Sequence, residues 1–258
     1  MGRLGVEVMK CDFMSSAIVR AVVTASAVSF VLASEGDREA SLTLLANTIN
    51  SAVAAQVENG RGWHALQKAW DLMLAYRIRY QEWPDGAEAV ADALRNLQGS
   101  PWRCETHDDP WAPALCGLLL DDSRATLKAV DHLASQPRGG FCGNAMAAED
   151  FAFRELEAWA HLRVGDYDST LEAIAAAEKD RGLANIDVGS QRWALLWGLA
   201  SLANEEKGQH AAATSFARRA KKACSHPRDS WDLYYESDPQ VARAVCRALE
   251  QLVNTLTE

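Results

Sequence analysis

The residue best placed for covalent chemistry is Cys142, in the run Gly140-Phe141-Cys142-Gly143-Asn144 just ahead of a helical segment. The N-terminus of a helix lowers a thiol pKa, and the thiolate is the nucleophilic form. A Cys-dependent hydrolase would also need a histidine base. Six histidines are present, but nothing in the residue order brings His64, His107, His132 or His161 to Cys142. The competing reading is a loop or disulfide cysteine. His107-Asp108-Asp109 sets three ligand-type side chains in a row. Adjacent residues converge on one ion only where a loop bends sharply, so a solvated loop is the better reading. No C-x-x-C motif occurs, and no metal or cofactor is expected. Arg218-Arg219-Ala220-Lys221-Lys222 ends a helical segment, where cations suit the helix dipole. The net charge of -9 leaves no basic surface of the kind that phosphates demand, so nucleic acid is not an expected partner.

The N-terminal region carries a different signal. Residues 21–33, AVVTASAVSFVLA, are uncharged and too short to span a bilayer. Arg20, Lys10 and Arg3 precede them, Val31-Leu32-Ala33 supplies a small-residue cleavage site, and Ser34-Glu35-Gly36-Asp37 follows. That order is the grammar of a secretory signal cut after Ala33. Residues 1–33 are therefore read as a signal peptide, and 34–258 as the mature domain, exported to the periplasm or outside the cell. The alternative is a buried first helix in a cytoplasmic protein. Without the signal, five cysteines remain. An oxidising compartment would pair some of them. The expected pairs are Cys104 with Cys116 and Cys224 with Cys246, although sequence alone cannot decide connectivity.

These residues must be positioned by helices, because little else is encoded. Hydrophobic residues make up 48% of the chain and charged ones 24%, enough to bury a core. Apolar positions recur at helical spacing, as in Leu42, Leu45, Ile49 and Val53, then in Leu66, Trp70, Met73, Leu74 and Ile78. Short breakers separate the segments. Helices are predicted over 37–58, 63–82, 84–97, 110–120, 123–135, 148–164, 168–179, 190–206, 209–223 and from Pro239 to near Leu256. Asp168 is the expected N-cap of the segment it opens. Trp63, Trp70, Trp159, Trp193 and Trp197 fall within helices and read as core. Trp83, Trp102, Trp111 and Trp231 fall at turns or loops.

The clearest hairpin is Ala158-Trp159-Ala160-His161-Leu162-Arg163-Val164-Gly165-Asp166-Tyr167-Asp168, and it resembles the tetratricopeptide repeat. Aligned on Gly165, Ala158 takes the small position of the first helix and Ile174 and Ala177 fall in the second, with Thr170 replacing the usual Ala. Aligned on Gly208, Trp197 takes the large aromatic position, Ser201 the small one, and Ala213 and Ala220 match the second helix, while Ala217 departs from the usual aromatic. Gly86 with Ala91, and Leu120 with Ala125, are weaker echoes. The motif-level resemblance covers roughly residues 148–223. It implies an all-α fold of stacked antiparallel helical hairpins, a right-handed α-solenoid. It also implies a scaffold or assembly factor that binds a protein or peptide in a helical groove, without catalytic residues. Glu155, Trp159, Leu162, Leu202 and Glu205 would contact that partner. No stable membrane span is expected once the signal is removed, and the oligomeric state is not encoded legibly.

Overall fold

The computed structural model describes residues 38–59, 63–99, 111–135, 143–184, 190–224 and 239–256. Those residues fold into ten α-helices: α1 Arg38–Asn59, α2 Trp63–Tyr80, α3 Glu88–Gly99, α4 Trp111–Leu119, α5 Ser123–Ser135, α6 Gly143–Arg163, α7 Tyr167–Ala184, α8 Ser190–Glu206, α9 His210–Cys224 and α10 Pro239–Thr255. A 3-10 turn at Pro84–Gly86 leads into α3. No strand occurs among the described residues. The protein is all-α, as the apolar spacing requires. Observed boundaries differ from the expected ones mainly at α6, which begins at Gly143 rather than Ala148, and at α7, which runs on to Ala184.

The helices form two sets. α4 pairs with α5, α6 with α7, and α8 with α9, while α5, α7 and α9 each also touch the helix that follows. The even-numbered helices pack on one another in series, α2 on α4, α4 on α6, α6 on α8, and α8 on α10. α10 then packs extensively on α2, so the series closes on itself. An open stack of hairpins would leave its first and last units apart, and here they meet. Burial follows this layout. α8 is enclosed from Trp193 to Asn204, with only Trp197 half-buried, and α2 is enclosed from Ala69 to Tyr76. α3, α5 and α9 bury one stripe each, such as Val130 and Leu133 or Ala213, Ala217 and Ala220. An apolar stripe marks an outer helix, and a helix apolar all round marks an inner one.

Three hairpin turns share one geometry. Asp121, Gly165 and Gly208 each adopt a left-handed backbone with φ of 58°, 77° and 69°. In each, the next amide reaches back across the helix end: Asp122 to the Gly117 carbonyl at 2.7 Å, Asp166 to His161 at 2.9 Å, and Gln209 to Asn204 at 2.8 Å. Those bonds satisfy carbonyls that a helix terminus would otherwise leave open. Glycine takes this conformation freely, and Asp is among the few residues that tolerate it. The next helix is then capped by a carboxylate. Asp122 Oδ1 accepts from the Ala125 amide at 2.9 Å, and Asp166 Oδ1 from the Ser169 amide at 3.2 Å. The cap of α7 is therefore Asp166, not Asp168, because the helix begins two residues earlier than a cap at Asp168 implies.

Relative to these turns, the same positions recur. Ala114 and Thr126, Ala158 and Thr170, and Ser201 and Ala213 are all fully buried. Thr126 Oγ1 donates to the Ala114 carbonyl at 3.1 Å, and Ser201 Oγ to the Ala213 carbonyl at 2.8 Å. Short side chains let two helix backbones come close enough for such bonds. The turn near Leu120 thus uses Thr126, whereas Ala125 is exposed. The expected unit at Gly86 and Ala91 does not follow the plan. Its left-handed residue is Gln81, and α3 packs on α1 rather than forming a close hairpin with α2.

Two glycines mark the closest approaches. A Cβ at Gly198 in α8 would meet Leu249 of α10 at 2.7 Å and Ile78 of α2 at 3.6 Å, where the series closes. A Cβ at Gly117 would meet Thr126 Oγ1 at 2.5 Å and the Asp122 carbonyl at 2.9 Å. Backbone cannot yield there as a side chain could. Gly117→Ala is expected to lower stability by about 1–3 kcal/mol through overpacking. Gly99→Ala, whose Cβ would meet nothing within 4 Å, should show no loss. Chemical denaturation of both variants is the check, and equal midpoints would contradict the tight α4–α5 packing.

Candidate functional site

Short turns join each inner helix to the outer helix after it. The last turns of α2, α4, α6 and α8 consequently share one end of the molecule, and side chains tie them together there. Arg163, the last residue of α6, is the hub. Its Nη2 donates to Asp85 Oδ2 at 3.0 Å, beyond the end of α2. The same nitrogen lies 2.8 Å from Asp121 Oδ1, beyond the end of α4, and Nε donates to that oxygen at 2.9 Å. The guanidinium lies over the Trp83 ring, 4.2 Å from its centroid. Arg77, near the end of α2, approaches the same ring at 5.9 Å and donates from Nη2 to Glu206 Oε1 of α8 at 2.7 Å. Beneath them, Trp159 lies 5.7 Å from Trp83 and 4.0 Å from Trp70, centroid to centroid.

These groups enclose a pocket of about 310 Å³. Its walls are Arg77, Trp83, Leu162, Arg163, Val164, Gly165, Tyr167, Leu202 and Glu206. The arginine charges are turned inward, with Arg163 only 3% exposed and Arg77 14%. Their carboxylate partners face solvent more, at 31% for Asp85, 61% for Asp121 and 39% for Glu206. Arg163 Nη1 is buried and has no acceptor among the described residues. Val164 stands on the rim, 61% exposed, and is the one large apolar side chain that the described residues leave open to solvent. The lining therefore combines apolar side chains, two inward-turned guanidinium groups and the Glu206 carboxylate, with Asp85 and Asp121 paired to Arg163 outside it.

Leu162 and Leu202, two residues expected to meet a partner, come together in this pocket. Glu155 and Trp159 do not join them, because α6 is packed between neighbours on several sides and both side chains are buried in the interior. Glu155 is engaged there, and the Trp159 indole serves as core. Glu205 is half-exposed, with Oε2 3.0 Å from His210 Nδ1. The geometry accordingly places the pocket at the helix ends, and of the five expected residues only Leu162 and Leu202 line it. Arg77, Trp83, Arg163, Val164, Tyr167 and Glu206 were not expected. A signal for them exists in the apolar Val164 at a turn position and in arginines closing two helices, but their convergence depends on tertiary packing.

Cys224 and Cys246 lie side by side, Cα atoms 5.5 Å apart, in the range a disulfide needs. Cys116 is buried in α4. Cys104, Cys142, His107 and the loop tryptophans Trp102 and Trp231 lie outside the described residues. Among the described residues there is no group of three His, Cys, Asp or Glu side chains able to hold a metal, and no helix is long and apolar enough to cross a membrane. No protein-family model, curated protein or solved structure matches the chain.

Asp166 sits at the edge of the pocket and caps α7. Hydrogen bonding from Ser169, helped by the nearby His161, holds its pKa below the ordinary 3.8. A folded-state pKa below the unfolded one gives stability that is present above pH 3.8 and fades as pH falls through the folded value. Asp166→Ala should cost about 1 kcal/mol at neutral pH, as cap removal does. Urea denaturation at neutral pH and again below pH 3.8 should show the gap to the parent protein narrowing on acidification. A gap that widens would contradict the cap.

Proposed function

We propose that this chain is a protein- or peptide-binding scaffold, or assembly factor, exported to the cell envelope with residues 1–33 removed. The observation that carries this reading is the pocket at the shared helix ends, with Val164 exposed on its rim. Isolated exposed apolar residues are ordinary, but one at the mouth of a cavity lined by Leu162, Leu202 and Trp83 supplies an anchor point for a partner. The resemblance to tetratricopeptide repeats supports the same class, and so do the buried small residues that recur at equivalent places in three hairpins. The closeness of Cys224 to Cys246 fits a disulfide, and a disulfide fits an oxidising compartment.

Peptide phage display against the full chain, expressed with its leader and purified from the exported fraction, tests the reading. N-terminal sequencing of that material is expected to begin at Ser34, and an intact Met1 would contradict export. Selection should enrich a consensus motif. Val164→Asp should weaken the winning peptides by about tenfold or more, because a charge replaces apolar contact at the pocket mouth. A selection that yields no consensus would remove the scaffold reading.

A further inference from the structure

We infer that the pocket takes a cationic peptide segment carrying an apolar side chain; this rests on the scaffold reading and names its ligand chemistry. The first step is the charge that a ligand would meet. Among the charged side chains that line the pocket or pair with those that do, Arg77 and Arg163 are the cations, and Asp85, Asp121 and Glu206 the carboxylates. Carboxylates outnumber arginines, and the arginines are the buried members of each pair. The carbonyl ends of α2, α6 and α8 also point to this face and add partial negative charge. The more exposed charges around the pocket are therefore carboxylates, Glu206 in its lining and Asp85 and Asp121 beside it. An anionic ligand would have to displace carboxylates already bonded to both arginines.

The second step is the wall. Val164, Leu162, Leu202 and Trp83 supply the apolar part of the lining, with Val164 the exposed member. An apolar side chain against Val164 and basic neighbours beside Glu206 and Asp121 together describe such a segment. Complementary charge would speed its docking, and apolar burial would hold it.

The test is an NMR titration of the full chain with three capped tripeptides, acetyl-Lys-Leu-Lys-amide, acetyl-Glu-Leu-Glu-amide and acetyl-Lys-Ser-Lys-amide. The lysine–leucine probe should shift the amides of Val164, Gly165 and Tyr167 and the Trp83 indole. The other two probes should bind about tenfold or more weakly, since one loses charge complementarity and the other a buried leucine. Its affinity should fall with added salt. Val164→Ser and Glu206→Gln should each weaken it about threefold or more while the remaining amide spectrum stays that of the parent. Val164 is exposed and Glu206 lies at a surface pair, so both variants are expected to fold. Equal or tighter binding of the glutamate probe would overturn the proposal in favour of an anion site. Equal binding of the serine probe, shifts confined to another face, or no saturation by any probe would also overturn it. Phage-selected peptides that bind Val164→Ser and Glu206→Gln unchanged would leave the scaffold reading standing and remove this site alone.

Discussion

The Arg163 guanidinium holds three chain segments at one point. Through Asp85 it reaches the turn after α2, through Asp121 the turn after α4, and through its own backbone the end of α6. Trp83 covers one face of the group. A charge this deeply buried is stable only with good partners, and removing one partner of such a set costs about 3–5 kcal/mol. The arrangement also makes the pocket. Drawing the helix ends together around Arg163 leaves the space between Trp83, Leu162 and Leu202, and the Arg77–Glu206 pair extends the same wall to α8.

The hub can form only because the helices are brought near each other by small residues. Ala114, Ala158 and Ser201 face Thr126, Thr170 and Ala213 across three hairpins, each pair fully buried. Gly198 lets α8, α10 and α2 meet, so the last helix returns to the first inner one. Closure explains why α2 and α8 are apolar on most sides, and why Trp70, Trp159 and Trp193 are enclosed instead of lining an open groove. The pocket is then left at the helix ends, where short turns expose polar caps and, among the described residues, one large apolar side chain, Val164.

Helix content was legible because helical spacing of apolar residues is a local property. The turns at Gly165 and Gly208 were legible for the same reason, since glycine accepts the left-handed backbone that ends those helices. Asp121 does the same work without glycine, and there the register read from sequence fell one residue short. The cap is Asp166 and not Asp168; both are acidic and only two residues apart, and backbone geometry alone separates them. The pocket residues were harder. A groove along the hairpins would leave Glu155 and Trp159 accessible, but closure of the helix series buries both. Leu162 and Leu202 were named from the sequence as groove residues, and they line the pocket at the helix ends instead. Arg163 and Trp83 were not, since the eighty residues of separation between Arg163 and Asp85, roughly, carry no local signature.

Hydrogen exchange on Arg163→Met tests the central claim most directly, because Met keeps an apolar stem and removes the guanidinium. If Arg163 joins the three segments, amides in 83–87, 120–126 and 164–170 should all exchange faster, by about tenfold, as loss of hydrogen bonds from a charged group implies. Faster exchange confined to the last turn of α6, with the turns after α2 and α4 unchanged, would contradict the account.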